Sequence, residues 1–95
     1  NWCLNNRGEI AKVIKISSDL SGITMEVYTD LPGVQVYSGN FLEEEKGKND
    51  VVYKYRQGIC FETQYYPDAI NHENFPSPVL KKGEEYRTRT VYKFV

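Results

Sequence analysis

One acidic residue lies within a segment that otherwise has the pattern of a short β-strand. The segment GICFETQYYPDAIN spans residues 58–71 and contains Glu62. Alternation along a strand puts Glu62 on the same face as Cys60 and Gln64, opposite the apolar Phe61. Cysteine is usually buried and glutamine can hydrogen-bond a carboxylate, so the pattern favours a partly dry pocket, where a carboxylate is a useful proton acceptor. Alternatively this face meets solvent, where a glutamate is an ordinary surface residue.

Four other side chains carry groups that could bind or react. Gln35 shares a strand face with Tyr37, and its amide offers both a donor and an acceptor, which suits ligands rich in hydroxyl groups. Taken in isolation, however, the pattern favours an ordinary exposed strand residue at this position. Tyr65 and Tyr66 could stack on a sugar ring or anchor a loop. His72 is the one histidine and has no partner set by spacing, so we interpret it as an exposed loop residue rather than a general acid. We find no phosphate-binding loop, no serine–histidine–aspartate set and no metal-ligand constellation.

Short strands divided by glycine- and proline-bearing turns must position these residues. The predicted strands are GEIAKVIKISS, ITMEVYT, VQVY, VVYKY, ICFETQ and YRTRTVYKFV. The first two form a hairpin with a longer loop. Residues 38–50 are predicted to be a solvated loop, and residues 65–78 an ordered irregular loop held by aromatic anchors. Because no segment has a helical period, the pattern predicts an all-β fold, an antiparallel β-sandwich or barrel.

Composition excludes some classes of function and leaves the cysteines open. The net charge is −1, whereas a nucleic-acid binder usually has a basic surplus. No apolar run approaches the roughly 20 residues that span a bilayer, so we expect no membrane partner. Cys3 and Cys60 have no metal-ligand spacing, and we interpret them as buried free thiols, although a disulfide between them stays open. Free thiols favour the cytoplasm; an upstream signal peptide would instead imply a periplasmic or secreted protein.

Three strings of residues resemble the C-terminal part of the aldose 1-epimerases, also called galactose mutarotases. They are PGVQVYSGNF, GICFETQYYPDAINHENFPSPVL and KKGEEYRTRTVYKF, in this order, and the similarity extends from the opening NW to the end. The resemblance implies that residues 1–95 are the C-terminal part of a single large β-sandwich domain. It also implies an isomerase that interconverts the α and β anomers of free hexoses such as galactose and glucose, without a metal or other cofactor. The glutamate of ETQ is the family's base, which maps onto Glu62, and the glutamine of PGVQ contacts sugar hydroxyls, which maps onto Gln35.

The sequence departs from the family in its acid. The catalytic acid of the family is a histidine far upstream, and a sugar-contacting aspartate lies in a DH pair just before the NW position; the chain has neither, and His72 does not match. We therefore expect a partial or cut product whose site is completed by the remaining N-terminal part of the same protein. Alone, such a chain should be poorly stable and self-associate through exposed strand edges.

Two other functions remain open from sequence. The first alternative is a non-catalytic carbohydrate-binding β-sandwich, and the second is a generic interaction domain. The retained Glu62 favours the enzyme, because a protein that only binds sugar does not need a base at that position.

Overall fold

The computed structural model describes residues 1–95, which form eight β-strands and two single-turn 3-10 helices. The 3-10 helices are Lys48–Asp50 and Ala69–Asn71. None of the helical segments is long or apolar enough to cross a membrane. All strand pairings are antiparallel, which confirms the predicted all-β antiparallel class. The strands are β1 Trp2–Cys3, β2 Ala11–Ser17, β3 Thr24–Thr29, β4 Gly33–Tyr37, β5 Glu45–Lys46, β6 Val52–Tyr53, β7 Cys60–Gln64 and β8 Thr90–Phe94.

The strands form two three-stranded sheets and one two-stranded sheet. The first sheet has the order β1-β4-β7, the second β2-β3-β8, and the third pairs β5 with β6. The predicted hairpin is confirmed as β2 and β3, with a shift of register between Lys12 and Ile14. The prediction that residues 38–50 are entirely loop is wrong, because Glu45–Lys46 pairs with Val52–Tyr53. Charged side chains do not prevent strand pairing at a position where one face meets water.

Alternation of apolar residues places the core between the two larger sheets. Val27 of β3 and Val34 of β4 are 0% and 2% exposed. Val34, Val36 and Phe61 of the first sheet line a mainly apolar cleft of about 490 Å³ together with residues of β2. Only eight of the 95 residues are buried, so the chain by itself gains little hydrophobic stabilisation.

Hydroxyl groups connect the two larger sheets across this core. The Thr90 hydroxyl of β8 lies 3.1 Å from that of Thr29 and 2.7 Å from that of Thr63 in β7. The Tyr92 hydroxyl donates to the Phe61 carbonyl at 2.6 Å. These bonds fix β7 against the second sheet, because each hydroxyl can donate and accept at once.

The last strand is shorter than the alternating sequence predicts. It begins at Thr90, and the preceding residues are not part of a strand. The Asp30 carboxylate instead accepts hydrogen bonds from the Thr88 hydroxyl and, at 3.0 Å, from the Arg89 backbone N–H. A side chain that takes the backbone donor in this way competes with strand pairing.

The expectation that both cysteines are buried is wrong. Cys3 and Cys60 are exposed, and both are free thiols. Cys3 lies in β1 and Cys60 in β7, which are the two edge strands of the first sheet. An edge strand has a neighbour on one side only, so side chains on its outer face remain in contact with water.

Candidate active site

The two polar residues that the sequence singled out lie directly opposite each other. In the antiparallel pair of β4 and β7, Gln35 is the partner of Glu62. Directly opposed residues project from the same face of a sheet, with Cβ atoms about 4.5–5.5 Å apart. The structure therefore brings together an amide and a carboxylate from segments that are distant in the sequence.

The apolar alternation of both strands sets the direction of this pair. Val34 and Val36 flank Gln35 in the sequence, and Phe61 precedes Glu62; all three apolar side chains line the cleft between the sheets. Because successive side chains of a strand point to opposite faces, Gln35 and Glu62 must point away from that cleft.

The carboxylate of the pair is not in the partly dry pocket expected from its neighbours. Glu62 is exposed and Gln35 is half-buried. β7 lies at the edge of its sheet, with β4 as its one paired neighbour, so the flank of Glu62 away from β4 is open. Gln64 does not bond the acid either, because its Nε2 donates to the Asn1 Oδ1 at 3.1 Å.

An aromatic side chain packs beside Gly33 of β4 and anchors the loop after β7. The Tyr66 ring lies next to Gly33, and it meets the Phe75 ring edge to face with centroids 5.2 Å apart. A hydrogen bond with the Cys3 thiol raises the pKa of Tyr66, and desolvation raises it further. Of the two roles left open for this tyrosine, the contacts are those of a loop anchor.

The single histidine has a partner that spacing did not reveal. The His72 Nε2 lies 3.1 Å from the Asp68 Oδ2, and its ring packs on Phe75 at 4.8 Å. A 3-10 turn, Ala69–Asn71, folds the two residues together. A separation of four residues across a turn was the signal available in the sequence. His72 is exposed, as predicted, and its hydrogen-bond partner belongs to its own loop.

A second group of titratable side chains lies on the other large sheet. The Lys12 ammonium is 3.0 Å from one oxygen of Glu26, and the Tyr28 hydroxyl donates to the other at 2.8 Å. The hydrogen bond from Lys12, followed by that from Tyr28, lowers the pKa of Glu26. Both carboxylate oxygens therefore have partners, as expected for a structural ion pair across two strands.

No group of three or more histidine, cysteine, aspartate or glutamate side chains is placed to hold a metal ion.

Comparison with known proteins identifies the family. A sequence model of the aldose 1-epimerases matches residues 1–93. The chain belongs to the aldose 1-epimerase family. It is 46% identical over 95 residues to the galactose mutarotase of Homo sapiens and 45% identical to that of Mus musculus. Each alignment covers 99% of this chain and 28% of the relative. The aldose 1-epimerase of Escherichia coli is 39% identical over 75 residues, which is 77% of this chain and 22% of that protein.

This family match confirms the resemblance drawn from the PGVQ and ETQ strings. The chain spans little more than a quarter of the length of the mammalian relatives. PGVQ leads from a turn into β4, and ETQ ends β7, so antiparallel pairing accounts for the proximity of the two strings. Within this member of the aldose 1-epimerase family, the candidate site is the face of the first sheet that carries Gln35 and Glu62.

Proposed function

We propose that the protein containing this chain is an aldose 1-epimerase that interconverts the α and β anomers of free hexoses such as galactose and glucose. Glu62 is the general base and Gln35 binds sugar hydroxyls. The observation that carries the proposal is the direct opposition of Gln35 and Glu62 on paired strands, in a chain that belongs to this family. The names of the relatives, galactose mutarotase and aldose 1-epimerase, support the same activity.

The reaction requires one base and one acid acting in turn on a hemiacetal. Glu62 takes the proton of the anomeric hydroxyl while the bond between the anomeric carbon and the ring oxygen breaks. An acid protonates the ring oxygen as it leaves, so the products are an aldehyde and a hydroxyl group. Rotation about the bond next to the aldehyde exposes its other face, and closure with reversed proton transfers gives the second anomer. Each transfer by a positioned group contributes about 10²–10⁴-fold.

The strand pair suits these roles because it fixes the two functional groups before the sugar arrives. Glu62 is on a strand rather than a loop, and the threonine hydroxyls hold that strand against the second sheet. Little ordering therefore remains to be done when the ring opens. The Gln35 amide can accept from one sugar hydroxyl and donate to another, which steers the anomeric hydroxyl toward the carboxylate.

The remaining part of the same protein supplies what this chain does not. In the proposal it contributes a histidine as the acid and covers the exposed face of Glu62. The same part of the protein selects between sugars.

Non-catalytic sugar binding is the second candidate, and it is favoured by one observation, the solvent exposure of Glu62 in this chain. Both candidates use Gln35 as a hydroxyl ligand, but only the enzyme uses Glu62 as a base. Substitution of this one carboxylate therefore separates them.

The test follows the optical rotation of freshly dissolved α-galactose with the full-length protein. Glu62→Gln should slow the catalysed rate by about 10²–10⁴-fold while galactose still binds in a calorimetric titration. Glu73→Gln, a change of an exposed loop glutamate, is the matched control and should leave the rate unchanged. An unchanged rate in Glu62→Gln, or no acceleration by the wild type, would leave the binding function.

A further inference from the structure

An amide pair next to the Gln35–Glu62 row is left without a role by the proposed reaction. The Gln64 Nε2 donates to the Asn1 Oδ1 at 3.1 Å, and we call these two side chains the amide pair. The bond joins the chain just ahead of β1 to the end of β7, across the middle strand β4. It therefore spans the whole width of the first sheet.

The register of the sheet puts the amide pair on the same face as the candidate base. Gly33 is the partner of Gln64, and two residues further along these strands Gln35 is the partner of Glu62. Two residues along a strand advance about 6.6 Å, comparable to the width of a single hexose ring. The Asn1 side chain lies over Gly33 and bonds Gln64. The amide pair therefore lies next to Gln35 and Glu62 on one face of the first sheet.

A missing side chain makes room for this arrangement. A Cβ atom built on Gly33 would lie 2.8 Å from the Asn1 Oδ1 and 3.0 Å from the Tyr66 Cδ1. Such distances are shorter than ordinary van der Waals contacts, so any side chain at this position would displace Asn1. The Asn1 amide therefore lies flat over β4 at the point where that strand has no side chain of its own.

Most of the hydrogen-bonding capacity of the amide pair remains free. Each amide has two N–H donors and two acceptor lone pairs, and the mutual bond uses one donor of Gln64 and one lone pair of Asn1. No other side-chain hydrogen bond is made by either residue. A neutral surface that offers donors and acceptors together is complementary to vicinal hydroxyl groups, which also donate and accept.

We propose that the amide pair of Asn1 and Gln64 binds the sugar, through a ring hydroxyl that Gln35 and Glu62 do not contact, and so orients the ring over the base. The proposal rests on the proposed function for its substrate class. It assigns two further substrate-binding residues and predicts that they act on affinity. Base strength stays with Glu62, so the chemical step should change little when the amide pair is altered.

The test measures hexose binding by titration calorimetry with the full-length protein. Asn1→Ala and Gln64→Ala should each weaken galactose binding about tenfold, the effect of one lost hydrogen bond to an exposed hydroxyl. Gln64→Met keeps the length of the side chain without the amide and should weaken galactose binding by the same factor. This variant replaces Gln64→Ala in the test if the alanine variant does not fold. Asn74→Ala, at an exposed loop asparagine, is the matched control and should bind as the wild type does.

A panel of monodeoxy galactoses then separates direct contact from structural support. One sugar of the panel lacks the hydroxyl that the amide pair contacts, and the wild type should bind it about tenfold more weakly than it binds galactose. The Gln64 variants should bind this deoxy sugar as well as the wild type binds it, because the contact is already absent. Equal losses by the variants across every deoxy sugar would overturn the proposal in favour of a strand brace. Unchanged galactose binding by both Asn1→Ala and Gln64→Met would also overturn it.

Optical rotation distinguishes failure of this proposal from failure of the proposed function. A wild-type protein that binds galactose without accelerating mutarotation would refute the function and leave the amide pair testable by the same panel. A wild-type protein that binds neither galactose nor glucose would refute both. Under the proposal, the amide-pair variants raise KM and leave kcat within about twofold of wild type. The reason is that the lost contact stabilises the bound sugar and the transition state equally.

Discussion

Replacement of Thr90 by valine should weaken the attachment between the two large sheets and leave the shape of β8 unchanged. Thr90 lies at the centre of the hydroxyl chain, 3.1 Å from Thr29 in its own sheet and 2.7 Å from Thr63 in the other. Valine is also β-branched and nearly the same size, so strand propensity and packing volume change little. The substitution removes the hydroxyl alone.

The size of the effect follows from the two hydrogen bonds and from burial. Each neutral hydrogen bond contributes about 1 kcal/mol net to stability. Thr29 is 0% exposed, so its hydroxyl cannot turn to water when Thr90 is lost. Its oxygen still accepts from the Leu31 N–H at 3.1 Å, which limits the penalty. We therefore expect Thr90→Val to lower the free energy of unfolding by about 2 kcal/mol, and by no more than about 3 kcal/mol.

Urea unfolding of the full-length protein, followed by circular dichroism, measures this change. The slope rises with protein size and should exceed the small-protein range of about 1–3 kcal/mol/M for the full-length protein, so the midpoint should fall by about 0.5 M at unchanged slope. Thr90→Ser keeps the hydroxyl and should lie much closer to the wild type. A midpoint for Thr90→Val within about 0.2 M of the wild type, or an equal loss in Thr90→Ser, would refute the hydroxyl chain as the connection between the sheets.

Three other outcomes are expected. The pKa of Asp30 lies below its usual value of 3.8, chiefly because the Thr88 hydroxyl donates to it. The stability that the Asp30 carboxylate contributes is therefore present above about pH 4 and lost as pH falls through the lower folded-state pKa. Urea midpoints measured at decreasing pH should fall less steeply in Asp30→Asn than in wild type. His72→Gln should leave the mutarotation rate and its pH profile unchanged, because His72 bonds Asp68 within its own loop; a lost limb of the profile would make it the acid. The 95-residue chain alone should self-associate in light scattering, since large apolar side chains such as Leu20 and Phe41 are exposed; a stable monomer would contradict this.

The sequence predicted the strands best where apolar alternation is regular. Val34 and Val36 set the register of β4, Phe61 set that of β7, and both were located within a residue or two. The same alternation placed Glu62 on the face opposite Phe61 and Gln35 on the face opposite Val34 and Val36. Gln35 and Glu62 lie opposite each other because β4 pairs with β7. Strand order is a property of the whole sheet, and no local sequence pattern contains it.

Exposure was the least predictable quantity. Cys60 suggested a buried face for Glu62, because cysteine is usually buried. The position of β7 at a sheet edge leaves one flank of Glu62 open, and an edge strand has the same local sequence pattern as a central one. The bond from Gln64 to Asn1 was missed for a similar reason, since it joins the two ends of one sheet across β4.

The long connection between β4 and β7 has a consequence for how this protein can diversify. Residues 38–59 carry a small hairpin of their own, β5 and β6, and leave the β4–β7 pairing undisturbed. Doubling the length of such a connection changes the closure entropy by only about 0.6 kcal/mol. Insertions and deletions there should therefore be tolerated. One residue added within β7 ahead of Glu62 would instead turn the carboxylate into the apolar cleft, so the strand does not tolerate the same change of length.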